Sequence, residues 1–167
     1  MVIIDRPHGR DLSGAELRAV ANSVGARPEV WGDLVRADPE QRVYEQLLGD
    51  GHLAVWLICW MDGHDTGFHD HDRSSGAVTV VRGELREERL RFGAAPSSRH
   101  YGTGQTIEFE ATDIHRVVHA GGEPAVSVHA YSPPLDRMGS YVVEPGGALR
   151  RQSLGGTDEL RPLAATG

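Results

Sequence analysis

The chain has 167 residues, with 24 acidic against 17 basic side chains, a formal net charge of −7, and 39% hydrophobic and 25% charged residues. That length suits one domain with a substantial core, and the composition is that of a globular protein rather than a disordered one. No basic block runs along the chain, which argues against a nucleic-acid partner, and the apolar run 53–61 is about half as long as a membrane-spanning helix needs.

The first residues lack a basic flank ahead of a long apolar stretch, so they do not read as a signal peptide. A single cysteine, Cys59, cannot form an internal disulfide. Both features favour the cytoplasm, without a membrane association.

Residues 1–50 read as a helical part of the same domain. Ser13 and Glu16 form a capping-box pattern, followed by Leu17, Val20, Ala21 and Val24 at helical spacing. A short helix is predicted from Pro28 to about Arg36. A third is predicted to begin with Asp38 as N-cap and Pro39 in the first turn.

From Leu53 onward, short runs rich in Val, Ile, Thr and aromatics are punctuated by glycine. Strands are predicted near 53–61, 66–72, 76–82, 84–92, 104–110, 114–119, 125–131 and 140–144, with a tight hairpin connection at Arg82-Gly83. Such strands without intervening helices imply a mainly β fold, an antiparallel sandwich or barrel over 51–145. The tail 146–167 has no clear periodicity and is expected to wrap loosely over the domain or to be mobile.

Eight of the nine histidines fall between His52 and His129. In the stretch from Gly63 to Gly83, His69 and His71 are two apart, so on a strand both imidazoles point the same way and can reach one metal ion. A third ligand must come from a neighbouring strand, where His115 is available. The spacing resembles the first cupin motif, which Gly63, His69, His71 and Gly83 match position by position. Gly76 stands where many cupins carry a glutamate ligand. The resemblance implies a cupin-type, jelly-roll-like antiparallel barrel with a few N-terminal helices. The three-histidine set left without that carboxylate suits Fe, Zn, Cu and Ni alike.

A second informative stretch runs from Pro124 to Asp136. Ser127, His129 and Tyr131 alternate on one strand face, so a hydroxyl, an imidazole and a phenol can form a hydrogen-bonded row. With these residues the chain resembles the cysteine dioxygenase family of thiol dioxygenases, most strongly over 53–137. The resemblance implies an Fe(II) cofactor held by His69, His71 and His115. It makes Ser127, His129 and Tyr131 an outer row with the phenol beside the substrate, and it puts a cis peptide at Ser132-Pro133. Animal members carry a cysteine that crosslinks to the tyrosine; Gly76 at the matching position resembles bacterial members.

Members specific for cysteine place an arginine after a Tyr-x pair to hold the substrate carboxylate. Here Tyr44-Glu45 is followed by Gln46, which resembles the 3-mercaptopropionate dioxygenases. Tyr44 and Gln46 are therefore candidate substrate-binding residues, with Arg42 or Arg73 as alternative clamps. The implied reaction adds both atoms of O2 to the sulfur of a small thiol carboxylate and gives the sulfinic acid. A monomer or small homo-oligomer would suffice.

Other residues have plainer readings. His64 belongs to a loop, His119 to an outer or surface position, Trp56 and Trp60 to the core, and Cys59 to the buried hydrophobes. The run Glu84 to Arg91 reads as the solvated face of a hairpin strand. Two other functions compete: a cupin using another divalent metal for isomerisation or hydrolysis, and a non-enzymatic small-ligand sensor. The Ser127-His129-Tyr131 row favours the dioxygenase, because neither alternative needs a buried phenol there.

Overall fold

A computed structural model describes residues 4–155. Helix α1 (Gly14–Gly25) opens as its capping box predicts: the Ser13 N–H donates to Glu16 Oε2 at 2.8 Å, and the Glu16 N–H donates back to Ser13 Oγ at 3.4 Å. Leu17, Val20, Ala21 and Val24 form its buried stripe. A one-turn helix, α2 (Pro28–Trp31), and a 3-10 turn over Gly32–Leu34 follow.

The third predicted helix does not form. The Asp38 carboxylate accepts from the Glu40 N–H at 2.9 Å, closing a local turn, and the chain then enters strand β1 (Val43–Gly49). This strand gains its hydrogen bonds from β2 (Ala54–Trp60), its neighbour in sequence, and lies at the edge of its sheet.

The remaining strands are β3 (His69–Asp70), β4 (Ser75–Arg82), β5 (Glu84–Arg91), β6 (Ala94–Gly102), β7 (Thr106–Phe109), β8 (His115–His119), β9 (Ala125–Ser132), β10 (Arg137–Val143) and β11 (Leu149–Gly155). The predicted strand 66–72 shrinks to two residues. Strand β6, mostly exposed and poor in apolar residues, was not foreseen from its sequence. Within the tail expected to be loose, residues 149–155 form β11, which pairs along its whole length with β10; residues 156–167 lie outside the described residues.

The strands form two antiparallel sheets, ordered β1-β2-β9-β4-β7 and β11-β10-β3-β8-β5-β6. The fold is thus mainly β, as the sequence predicts. Outward-facing Val55, Leu57, Cys59, Ala77, Val126, Val128 and Ala130 meet α1 and the N-terminal segment in one apolar cluster. Inward-facing Ile58, Trp60, Val78, Val80, Leu85, Ile107, Phe109 and Tyr131 fill the space between the sheets. The alternation along β2, β4 and β9 explains why these strands read as continuous apolar runs: both faces are covered. Gly83 closes no hairpin: at φ +69° it carries the chain from β4 in one sheet to β5 in the other, so close to Ala125 that a Cβ would lie 2.8 Å from the Ala125 Cα.

Candidate metal centre and the facing phenol

Three histidines converge from one sheet. His69 pairs directly with His115 across β3 and β8, and His71 follows two residues after His69. Their ring centroids lie 4.7 Å (His69–His71), 4.7 Å (His69–His115) and 5.1 Å (His71–His115) apart. Among the described residues these three form a group whose donor atoms all lie within 4.8 Å of one another, and all are buried.

Two of the rings are oriented from behind. His69 Nδ1 is 2.9 Å from the Gly67 carbonyl, which can only accept, so Nδ1 carries the proton and Nε2 turns its lone pair inward. His115 Nδ1 is 2.7 Å from Glu87 Oε1 in the same sense. Backing of this kind, by a carbonyl and a carboxylate, is what a metal-ligating imidazole requires. The donor set therefore fits a divalent transition metal.

Glu87 joins this candidate site through His115, which its sequence context does not suggest. The run Glu84 to Arg91 reads as a solvated face, yet Glu87 is 3% exposed, because the Leu85-x-Glu87 alternation turns it inward with Leu85. That alternation was the available signal. Burial pushes its carboxyl above the usual range, while the Arg89 guanidinium at 2.9 Å and the Tyr101 hydroxyl at 3.2 Å pull the other way.

Asp70 points away from the cluster between the two histidines. It accepts from Arg151 Nε at 2.8 Å and Nη2 at 2.9 Å, and from the Tyr141 hydroxyl. Burial disfavours its charge, but those hydrogen bonds win and hold its carboxyl well below the usual carboxylate range. The β10–β11 hairpin thus braces the two-residue strand that presents His69 and His71.

The facing sheet supplies the phenol. Ser127, His129 and Tyr131 all turn inward on β9, where Ser127 Oγ lies 2.7 Å from His129 Nε2 and His129 Nδ1 lies 3.1 Å from the Tyr131 hydroxyl. The Tyr131 ring is 5.6 Å from that of His71, centroid to centroid. Gly76, opposite Tyr131 on β4, leaves room for Phe109, whose ring stacks on His71 at 4.3 Å. The Ser132–Pro133 bond is cis.

The candidate substrate residues lie on β1. Tyr44 packs edge-on against Trp56 at 6.0 Å, and Gln46, paired with Trp56, is exposed with its amide donating to the Leu48 carbonyl at 3.5 Å. Arg73 is a surface residue near Asp136, its side chain 74% exposed. Arg42 is buried, with its guanidinium over the Trp60 ring at 5.3 Å. Continuing the β1–β2–β9 register puts it level with Trp60 and Ala125, six residues from Tyr131 or roughly 20 Å along β9. His119 stays outside the cluster, its Nδ1 2.9 Å from Asp62 Oδ1 and its Nε2 3.0 Å from the Glu123 carbonyl. His64, also buried, accepts the Met61 N–H at 2.9 Å. Cys59 is buried, which raises its thiol pKa.

Two facing antiparallel sheets with three imidazoles converging between them define the cupin class. The chain belongs to the cysteine dioxygenase family: the family model described as cysteine dioxygenase type I matches residues 8–143. Curated relatives include cysteine dioxygenase type 1 of Bos taurus, 28% identical over 144 residues that cover 80% of this chain and 72% of that protein. The Homo sapiens enzyme is 27% identical with the same coverage. Among solved structures, the TT1209 protein of Thermus thermophilus has a TM-score of 0.54 at 18% identity, covering 61% of this chain and 92% of its own. A double-stranded β-helix protein from Klebsiella pneumoniae has a TM-score of 0.54 at 16% identity, covering 72% of this chain and 91% of its own. These structures share the fold. No helix among the described residues is long and apolar enough to cross a membrane.

Proposed function

We propose that this protein is a non-haem Fe(II) thiol dioxygenase that converts a small thiol carboxylate, cysteine or 3-mercaptopropionate, and O2 into the sulfinic acid. The observation that carries this reading is the buried Tyr131 phenol on the sheet opposite three converging imidazoles, 5.6 Å from His71 between ring centroids. His69, His71 and His115 would hold the iron. When bound, the iron supplies a cationic site where a thiol loses its proton near neutral pH and where dioxygen is activated.

The chain's own residues do the rest. Tyr131 presents its hydroxyl to the reacting atoms, with His129 and Ser127 behind it holding the ring in one orientation. Phe109 and Tyr131 make the surroundings apolar, which excludes water and strengthens each hydrogen bond formed there. Tyr44 and Gln46 lie on the strand that would flank the substrate. The Gln46 amide offers a carboxylate one neutral donor, weaker than a bidentate guanidinium. That chemistry suits 3-mercaptopropionate better than zwitterionic cysteine.

Anaerobic loading with Fe(II), followed by oxygen uptake with cysteine, 3-mercaptopropionate, cysteamine and mercaptosuccinate in parallel, tests the proposal. Uptake should be largest with 3-mercaptopropionate, with the sulfinic acid as product, and His115→Ala should abolish it. Gln46→Arg should move relative kcat/KM toward cysteine by about 5- to 30-fold. Uptake with none of the four thiols, or full activity in His115→Ala, would overturn the proposal.

A further inference from the structure

The row Ser127, His129, Tyr131 continues backward to a fourth member. Trp60 Nε1 donates to Ser127 Oγ at 2.8 Å, and the indole is wholly buried. The Trp60 ring also stacks on His129, with centroids 6.2 Å apart and planes 20° from parallel, and the Arg42 guanidinium lies over the indole, 5.3 Å from its centroid.

We propose that Trp60 is a positioning residue that sets the direction of every hydrogen bond from Ser127 to Tyr131. An indole N–H can only donate, so Ser127 Oγ accepts from it. The buried hydroxyl then has one proton to place, and His129 Nε2 at 2.7 Å is the acceptor in reach. The opposite sense would leave the buried hydroxyl proton without that acceptor, a loss buried polar groups avoid. His129 Nε2 is therefore bare, and the neutral ring carries its proton on Nδ1. From Nδ1 it donates to the Tyr131 oxygen at 3.1 Å.

The consequence falls on the phenol. Because its oxygen accepts from His129, its own proton is directed away from that ring, out of the row. Beyond the row Tyr131 therefore acts as a hydrogen-bond donor, the polarity that suits an anionic sulfur or oxygen. With the chain reversed, its proton would be spent on His129 and only lone pairs would face the site. The catalytic use of this polarity rests on the dioxygenase reading; the polarity itself does not.

The test reads the tautomer directly. The full chain, labelled with 15N-histidine and supplied with diamagnetic Zn(II), is studied by NMR at about pH 8, where an ordinary imidazole is neutral. His129 signals are identified as those missing in His129→Gln. The expected result is a proton on Nδ1 in the wild type, and partial or complete transfer to Nε2 in Trp60→Phe, which keeps a stacking ring but removes the N–H. Ser127→Ala breaks the same chain with a smaller change in volume and serves if Trp60→Phe does not fold. With Fe(II), Trp60→Phe should lower kcat about 10-fold or more at unchanged KM and iron content. A wild-type ring protonated on Nε2, or an Nδ1 tautomer unchanged in the variants that fold, would overturn the inference. Failure of oxygen uptake in the wild type would defeat the dioxygenase reading and leave the tautomer result standing.

Discussion

At Gly76 the space that a side chain would take is filled by Phe109. A Cβ there would lie 2.2 Å from Phe109 Cζ, and the same Phe109 ring stacks on His71 with planes 22° apart. Any side chain at this position has to displace an aromatic ring from a candidate ligand. Gly76→Cys should therefore destabilise by about 1–3 kcal/mol through overpacking. Phe109→Leu in the same chain should recover part of that loss, which a double-mutant cycle by thermal unfolding measures. An unchanged Tm in Gly76→Cys would refute this packing account. Glu87 is the second decisive residue, because it holds His115 through Nδ1. Glu87→Gln keeps the shape but weakens that hydrogen bond and loses the charge facing Arg89. Metal affinity should fall about 10- to 100-fold, read by competition with a chelator.

Short elements in this fold depend on side chains that bind backbone. The connection from β1 to β2 is held by Asp50, whose Oδ1 accepts the His52 N–H at 2.8 Å and the Leu53 N–H at 3.0 Å while Oδ2 meets the Arg6 guanidinium. The His52 N–H and Arg6 together lower its pKa to about 2. The unfolded value is about 3.9, so the stabilisation is fully present above about pH 4 and is lost as the pH falls through about 2. For metal-free protein, the Tm deficit of Asp50→Ala relative to the wild type should be largest near neutrality, about 1 kcal/mol in stability. It should close between about pH 4 and pH 2. A deficit as large at pH 2 as at pH 7 would show that charge has no part in holding this turn. Strand β3 depends similarly on Asp70, which receives the Arg151 fork and the Tyr141 hydroxyl from the β10–β11 hairpin.

Across the whole molecule, the candidate centre joins the two sheets: imidazoles come from β3 and β8 on one, the phenol and its supports from β9 on the other. A metal bound there should stabilise the native state by mass action, about 2.7 kcal/mol at one hundred times Kd. For a chain of this size that corresponds to a rise in Tm of about 5–11 °C. Thermal melts under nitrogen, with Fe(II) and then with excess chelator, should show the rise and its reversal. His115→Ala should show neither; an equal rise in that variant would place the metal elsewhere.

Much of this architecture was legible in local spacing. Period-two alternation placed His69 with His71 and aligned Ser127, His129 and Tyr131, and the capping box marked the start of α1, because each pattern depends on neighbours a few residues apart. A turn at Gly83 was visible for the same reason, but its role was not: it passes the chain between sheets instead of closing a hairpin. Strands β1, β6 and β11 were not visible, although each pairs with its neighbour in sequence, because all three are edge strands whose side chains carry little apolar pattern. Burial of Glu87, the outward placement of Arg73, the seating of Arg42 on Trp60 and the filling of the Gly76 space by Phe109 were likewise decided by tertiary structure. Each depends on which sheet faces the residue, and that is settled only when segments tens of residues apart pack together.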